Sequence, residues 1–112
     1  MNKREFDKNI QYLEDNDIRF CGNAYNDKFS AELETYTDAG EDMIITLEVL
    51  SKECLQKYIN DFDINENVML WWGDGEDAAH ERGVPFTDIK DHYEDYENYI
   101  ENLQKICDEM PY

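Results

Sequence analysis

The sequence predicts an α+β domain: a mainly antiparallel sheet of three to four strands with helices on one face, in the order α-β-β-β-α-β-α, closed by a long C-terminal helix. Three patterns lead there. Ile89, Tyr93, Tyr96, Ile100, Leu103, Cys107 and Met110 recur at alternating steps of four and three, the apolar stripe of one amphipathic helix. Residues 29–36 and 42–49 alternate apolar and polar with period two, as half-buried strands do. Ser51 then precedes a second helical stripe, in the position of an N-cap.

Taken in order, residues 3–16 form a first helix with Phe6, Ile10 and Leu13 facing inward. Ile18 to Cys21 is a short strand ending at Gly22, and Asn23 to Lys28 is turn-rich. Phe29, Ala31, Leu33 and Thr35 line one side of the next strand, with Ser30, Glu32, Glu34 and Tyr36 on the other. Thr37 to Glu41 makes a hairpin loop in which Gly40 can supply a positive φ. The return strand, Asp42 to Val49, points Met43, Ile45, Leu47 and Val49 inward and Ile44 and Thr46 outward.

The helix capped by Ser51 runs to about Phe62, with Cys54, Leu55, Tyr58, Ile59 and Phe62 on its inner face. A turn at Asp61 to Asn65 leads to a fourth strand, Asn67 to Trp72, on which Trp71 and Trp72 must point to opposite faces. The loop from Gly73 to Pro85 is long for a compact domain, and loops of that length are often functional. Thr87 caps the last helix, Asp88 follows in its first turn, and Pro111 ends it.

Length and composition bound the class. A chain of 112 residues is expected to form a single domain, 1–112, with a modest core of its own. Eight tyrosines, five phenylalanines and two tryptophans exclude a disordered acidic tail. The formal net charge of −18 is far beyond the magnitude of about 2–8 that keeps a small domain soluble. It is also uneven. Residues 1–30 hold six acids against five bases, so 22 acids against five bases follow, a net of −17. Such a directed acidic surface repels nucleic acid and anionic membrane and attracts basic protein.

Cys21, Cys54 and Cys107 are widely spaced and odd in number, which fits free thiols in a reducing cytoplasm. Neither a signal-peptide pattern nor an apolar run of membrane-spanning length is present, and a cytoplasmic, soluble protein is expected.

The residues carry little chemistry. Asp61, Asp63, Asn65 and Asn67 have the alternate spacing of a calcium loop, but Glu66 and Trp72 stand where that loop needs Gly and Glu. His80-Glu81 lacks the second histidine of a zinc helix, and His92 lies at the edge of an apolar stripe. Ser30 and Ser51 sit in no nucleophile motif, and the acids beside Gly73 and Gly75 would repel a phosphate. No metal, no cofactor and no enzymatic activity are expected.

Two stretches, Tyr36-Thr37-Asp38-Ala39-Gly40-Glu41-Asp42-Met43 and Asp61-Phe62-Asp63-Ile64-Asn65-Glu66-Asn67-Val68 leading into Trp71-Trp72, together with Gly83-Val84-Pro85, resemble small acidic proteins of bacterial phages and mobile elements. The likeness spans roughly residues 30–105. It implies a genetic setting and carries no functional residues, because that group has no settled activity. By analogy of composition and setting, it points to DNA-mimicking inhibitors of host defence, such as antirestriction and anti-CRISPR proteins.

The expected function is therefore a DNA mimic whose carboxylates occupy the groove of a basic nucleic-acid-binding protein, with no direct binding to nucleic acid or membrane. The first candidates lie on the last helix: Asp88, Asp91 and Asp95 along one flank, Glu94, Glu97 and Glu101 along the other. Glu32, Glu34 and Glu48 on the hairpin's outer face come next, then Asp74, Glu76 and Asp77 in the long loop, with Trp71 as an aromatic anchor. The alternative is an acidic adaptor or oligomerisation module that binds through exposed aromatics, Tyr99 and Tyr12 among them, without inhibiting anything. The oligomeric state stays open, a homodimer included.

Overall fold

The computed structural model describes residues 1–21, 28–66 and 89–112, the last of these with side chains from Tyr93 onward. Its described elements are α1 (Lys3–Asp15), β1 (Arg19–Cys21), β2 (Ala31–Tyr36), β3 (Asp42–Leu47), α2 (Lys52–Asp61) and a long helix, α3 (Ile89–Glu109). The fold is α+β, with a three-stranded antiparallel sheet in the order β1-β2-β3. The expected strand Asn67–Trp72, the loop Gly73–Pro85 and the Thr87 cap lie outside the described residues.

Both ends of α1 are closed by local chemistry. Asn2 accepts the Glu5 backbone N–H at 2.9 Å while Glu5 reaches back to the Asn2 N–H at 3.1 Å, a reciprocal capping box. At the other end Asp17 adopts a left-handed φ of 62°, the place usually given to glycine. The Asp17 N–H then bonds to Glu14 O at 3.1 Å and the Ile18 N–H to Leu13 O at 3.0 Å. Leu13 and Ile18 are both buried, which supplies the apolar contact that accompanies this kind of helix end.

Strand β2 begins at Ala31, not Phe29, because Phe29 sits at φ 57°, outside the extended region. Its ring packs on Phe6 with centroids 5.1 Å apart, and its carbonyl accepts the Leu50 N–H at 2.9 Å. The hairpin loop is tied by Gly40 N–H to Thr37 O at 2.9 Å and Thr37 N–H to Glu41 O at 3.1 Å, and Gly40 takes φ 84° as expected.

Strand β3 stops at Leu47, so Val49 is half-buried instead of filling the last inward place. The fully buried Leu50 fills it, its carbonyl accepting from Asn9 Nδ2 at 2.9 Å. Asn9 is the one polar residue among the buried positions of α1, and its oxygen also accepts the Tyr112 N–H at 3.2 Å.

All three described helices cover one face of the sheet. Phe6, Ile10 and Leu13 of α1 meet Leu33, Ile45 and Leu47 of the strands, Leu55 and Ile59 of α2, and Tyr99, Leu103 and Cys107 of α3 in one cluster. Ser51 caps α2 by accepting the Cys54 N–H at 3.2 Å. Gln56 and Gln104 exchange amide hydrogen bonds of 2.8 and 2.7 Å, fixing α2 against α3. Where a turn is expected at Asp61–Asn65, residues 64–66 are helical, and Asp63 caps that turn by accepting the Asn65 and Glu66 N–H groups at 2.9 and 3.2 Å.

Candidate acidic contact surfaces

The inward side of α3 differs from the expected stripe. Tyr96, Tyr99, Leu103, Cys107 and Met110 are buried, whereas Tyr93 and Ile100 are half-buried. Tyr99 enters the core because its hydroxyl finds a partner there. It lies 2.6 Å from Thr35 Oγ1, which itself donates to Met43 O at 2.9 Å, so Tyr99 supplies the proton of the shorter contact. Tyr12 likewise donates to Ile106 O at 2.8 Å. Both tyrosines bind within the fold and are not free aromatic contacts.

That rotation carries Asp95 inward. Its residue surface is only 9% exposed, and Oδ1 accepts the Ala39 backbone N–H at 3.1 Å. Its other oxygen, Oδ2, is buried without a hydrogen-bond partner among the described residues. Asp95 is therefore a tether between α3 and the hairpin loop, a correction to its expected place in an outer acidic row. Glu94, Glu97 and Glu101 are exposed, three and four residues apart, as expected of the other flank. Asp88 and the side chain of Asp91 lie outside the described residues, as do Asp74, Glu76, Asp77 and Trp71.

The outer face of the sheet is set by strand register. Glu34 stands between Arg19 of β1 and Ile44 of β3, Glu32 between Cys21 and Thr46, and Tyr36 opposite Asp42. The acids thus share a face without standing directly opposite one another, which avoids the direct cross-strand repulsion expected of an all-acidic hairpin. Glu32 and Glu48 are exposed and Glu34 is half-buried. Tyr36 donates to Glu34 at 2.5 Å, and that bond, followed by burial and the charges of Glu34 and Asp42, pushes its phenol up to about 12. Desolvation pushes the Cys21 thiol up, and Glu34, Glu32 and Asp42 push it the same way.

Two residues on this face are large, apolar and open to solvent: Ile44 at 54% and Tyr36 at 49% exposure. Strand alternation places both outward, but the charge of the neighbouring acids draws a sequence reading away from them. Glu41, at the end of the loop, accepts from the Tyr96 hydroxyl at 2.7 Å. Among the described residues, no three His, Cys, Asp or Glu side chains are grouped to hold a metal ion, and no helix is long and apolar enough to cross a membrane.

Compared with family models, with curated proteins and with solved structures, the chain matches none, so its resemblance to small acidic phage and mobile-element proteins gains no support there.

Proposed function

We propose that the protein is a DNA mimic, an inhibitor of the antirestriction or anti-CRISPR kind that acts in a bacterial cytoplasm from a phage or mobile element. It binds a basic defence protein on its nucleic-acid-binding surface and catalyses no reaction. The observation that supports this reading is the placing of exposed carboxylates on two regular elements, Glu94, Glu97 and Glu101 on α3 and Glu32 and Asp42 on the sheet, within a chain of net charge −18. The helix holds its three acids at successive intervals of about 5–6 Å, a spacing that successive Lys and Arg side chains of a DNA groove can follow, while Glu32 and Asp42 stand four residues out of step on neighbouring strands, about 14 Å apart. Each engaged base exchanges a phosphate for a carboxylate, so the complex weakens with salt as DNA binding does.

The test is competition. A host restriction endonuclease or Cas effector is incubated with the protein, and its binding to duplex DNA is followed by gel shift at low and physiological salt. DNA binding is expected to fall as inhibitor is added and to return when duplex is in excess. A ternary complex of target, DNA and protein would overturn the reading.

A further inference from the structure

We propose that the outer face of the sheet, centred on Tyr36 and Ile44 and edged by Glu32, Glu34, Asp42 and Glu48, is the docking surface for a basic protein partner. The inference rests on the DNA-mimic reading for the kind of partner, and it names the surface used.

Several observations converge on this face. All three described helices cover the opposite side of the sheet. Tyr36 and Ile44 are neighbours across the strands, because Tyr36 pairs with Asp42 and Ile44 with Glu34, which places the two on the diagonal about 7–8 Å apart. An apolar centre with a charged rim is the anatomy of a protein contact, in which a few central side chains contribute most of the affinity. The exposed positions of α3 around Glu94, Glu97 and Glu101 include Asn98, Asn102 and Lys105 and, among the described residues, no large apolar side chain. That helix offers charge without a centre.

Charge selects the occupant. A second copy would bring Glu32, Glu34 and Asp42 against their own kind, and nucleic acid or an anionic membrane would meet the same repulsion. A partner surface carrying Arg or Lys, whose aliphatic stems can lie on Tyr36 and Ile44 while their heads reach the carboxylates, satisfies both parts of the face. Among the described strand residues, Arg19, opposite Glu34, is the one base that the register brings onto the face, and it stands on the β1 side, away from Ile44.

The experiment is an amide-shift titration of the whole protein with a ten-residue peptide of alternating Arg and Leu. The shifts are expected to centre on residues 32–36 and 42–46. Ile44→Thr, which keeps a β-branched residue at an exposed site, should weaken binding about tenfold, while Asp7→Lys, at an exposed acid of α1 on the other side of the molecule, should change it less than threefold. Shifts centred on Glu94–Glu101, or spread over every acidic segment with Ile44→Thr binding as wild type, would overturn the assignment. Failure to compete with DNA would instead remove the mimic reading and leave a sheet-centred titration standing.

Discussion

The Asp95 carboxylate accepts the Ala39 backbone N–H at 3.1 Å, joining the second turn of the last helix to a hairpin loop 56 positions earlier in the chain. The contact holds the loop between β2 and β3 in place and, with it, the end of the sheet that carries Tyr36 and Asp42. It is reinforced by the neighbouring residue, since Tyr96 donates to Glu41 at the other end of the same loop.

Asp95→Ala should therefore destabilise the fold by about 1.5–2 kcal/mol, the lower part of the range for hydrogen bonds to charged groups. The loss is limited because Ala39 is exposed and water can replace the acceptor. Glu94→Ala, one residue away on the solvent side, should leave stability unchanged or raise it slightly. Denaturant melts of the two variants compare them directly, and equal midpoints would mean that the tether contributes nothing.

The inward place of Asp95 is hidden from the sequence for a physical reason. Strict apolar spacing selects Tyr93, Tyr96 and Ile100, and an acid beside that stripe reads as outer surface. The helix actually turns Asp95, Tyr99 and Leu103, four residues apart, toward the sheet, because Thr35 and Ala39 offer hydrogen-bond partners to a phenol and a carboxylate. Those partners belong to another element, so helix periodicity alone has no access to them. The strands are more legible. Alternation places Leu33, Ile45 and Leu47 inside and Tyr36 and Ile44 outside, and a face read from period two does not rotate.

Leu103→Ala should cost about 2–5 kcal/mol, since Leu103 is buried in the main cluster between α3 and the other helices. Ile100→Ala should cost clearly less. The uniform stripe read from sequence puts both at the centre of the core, but Ile100 is only half-buried at its edge. A thermal melt in which Ile100→Ala is the more damaging change would place the helix in a different rotation.

Lysine scarcity alone predicts little loss of stability at high pH, and the buried phenols change that expectation. Desolvation raises Tyr58, Tyr96 and Tyr99 above their ordinary value, with the bond to Glu41 adding to the effect at Tyr96 and the neighbouring Tyr58 at Tyr99. A phenol that holds its proton more tightly when folded stabilises the fold fully below its unfolded pKa of about 10. Above that pH the unfolded chain loses the proton first, and stability declines as pH rises toward the folded values. Alkaline unfolding should thus begin above about pH 10, and Tyr99→Phe should make the decline shallower while weakening the fold at neutral pH through loss of the Thr35 contact. Unfolding curves taken across that window, with tyrosinate absorbance followed in parallel, check the sign. A protein whose stability is flat through the window would have its phenols exposed.

Glu97 stands three residues after Glu94 and four before Glu101, all exposed on one flank of α3. Like charges at those spacings each destabilise a helix by roughly 0.2–0.5 kcal/mol, and Glu97→Lys turns both repulsive pairs into attractive ones. Of the two new pairs, the one with Glu94 has the better orientation, because there the acid lies nearer the N-terminus than the base. The variant should melt higher than wild type, by more at low salt than at high salt, because screening already relieves the repulsion. It should lose less affinity for a basic partner than Ile44→Thr does, since it removes one carboxylate contact and leaves the sheet face around Ile44 untouched. A variant that is more stable yet loses most of its affinity would move the contact surface from the sheet to α3.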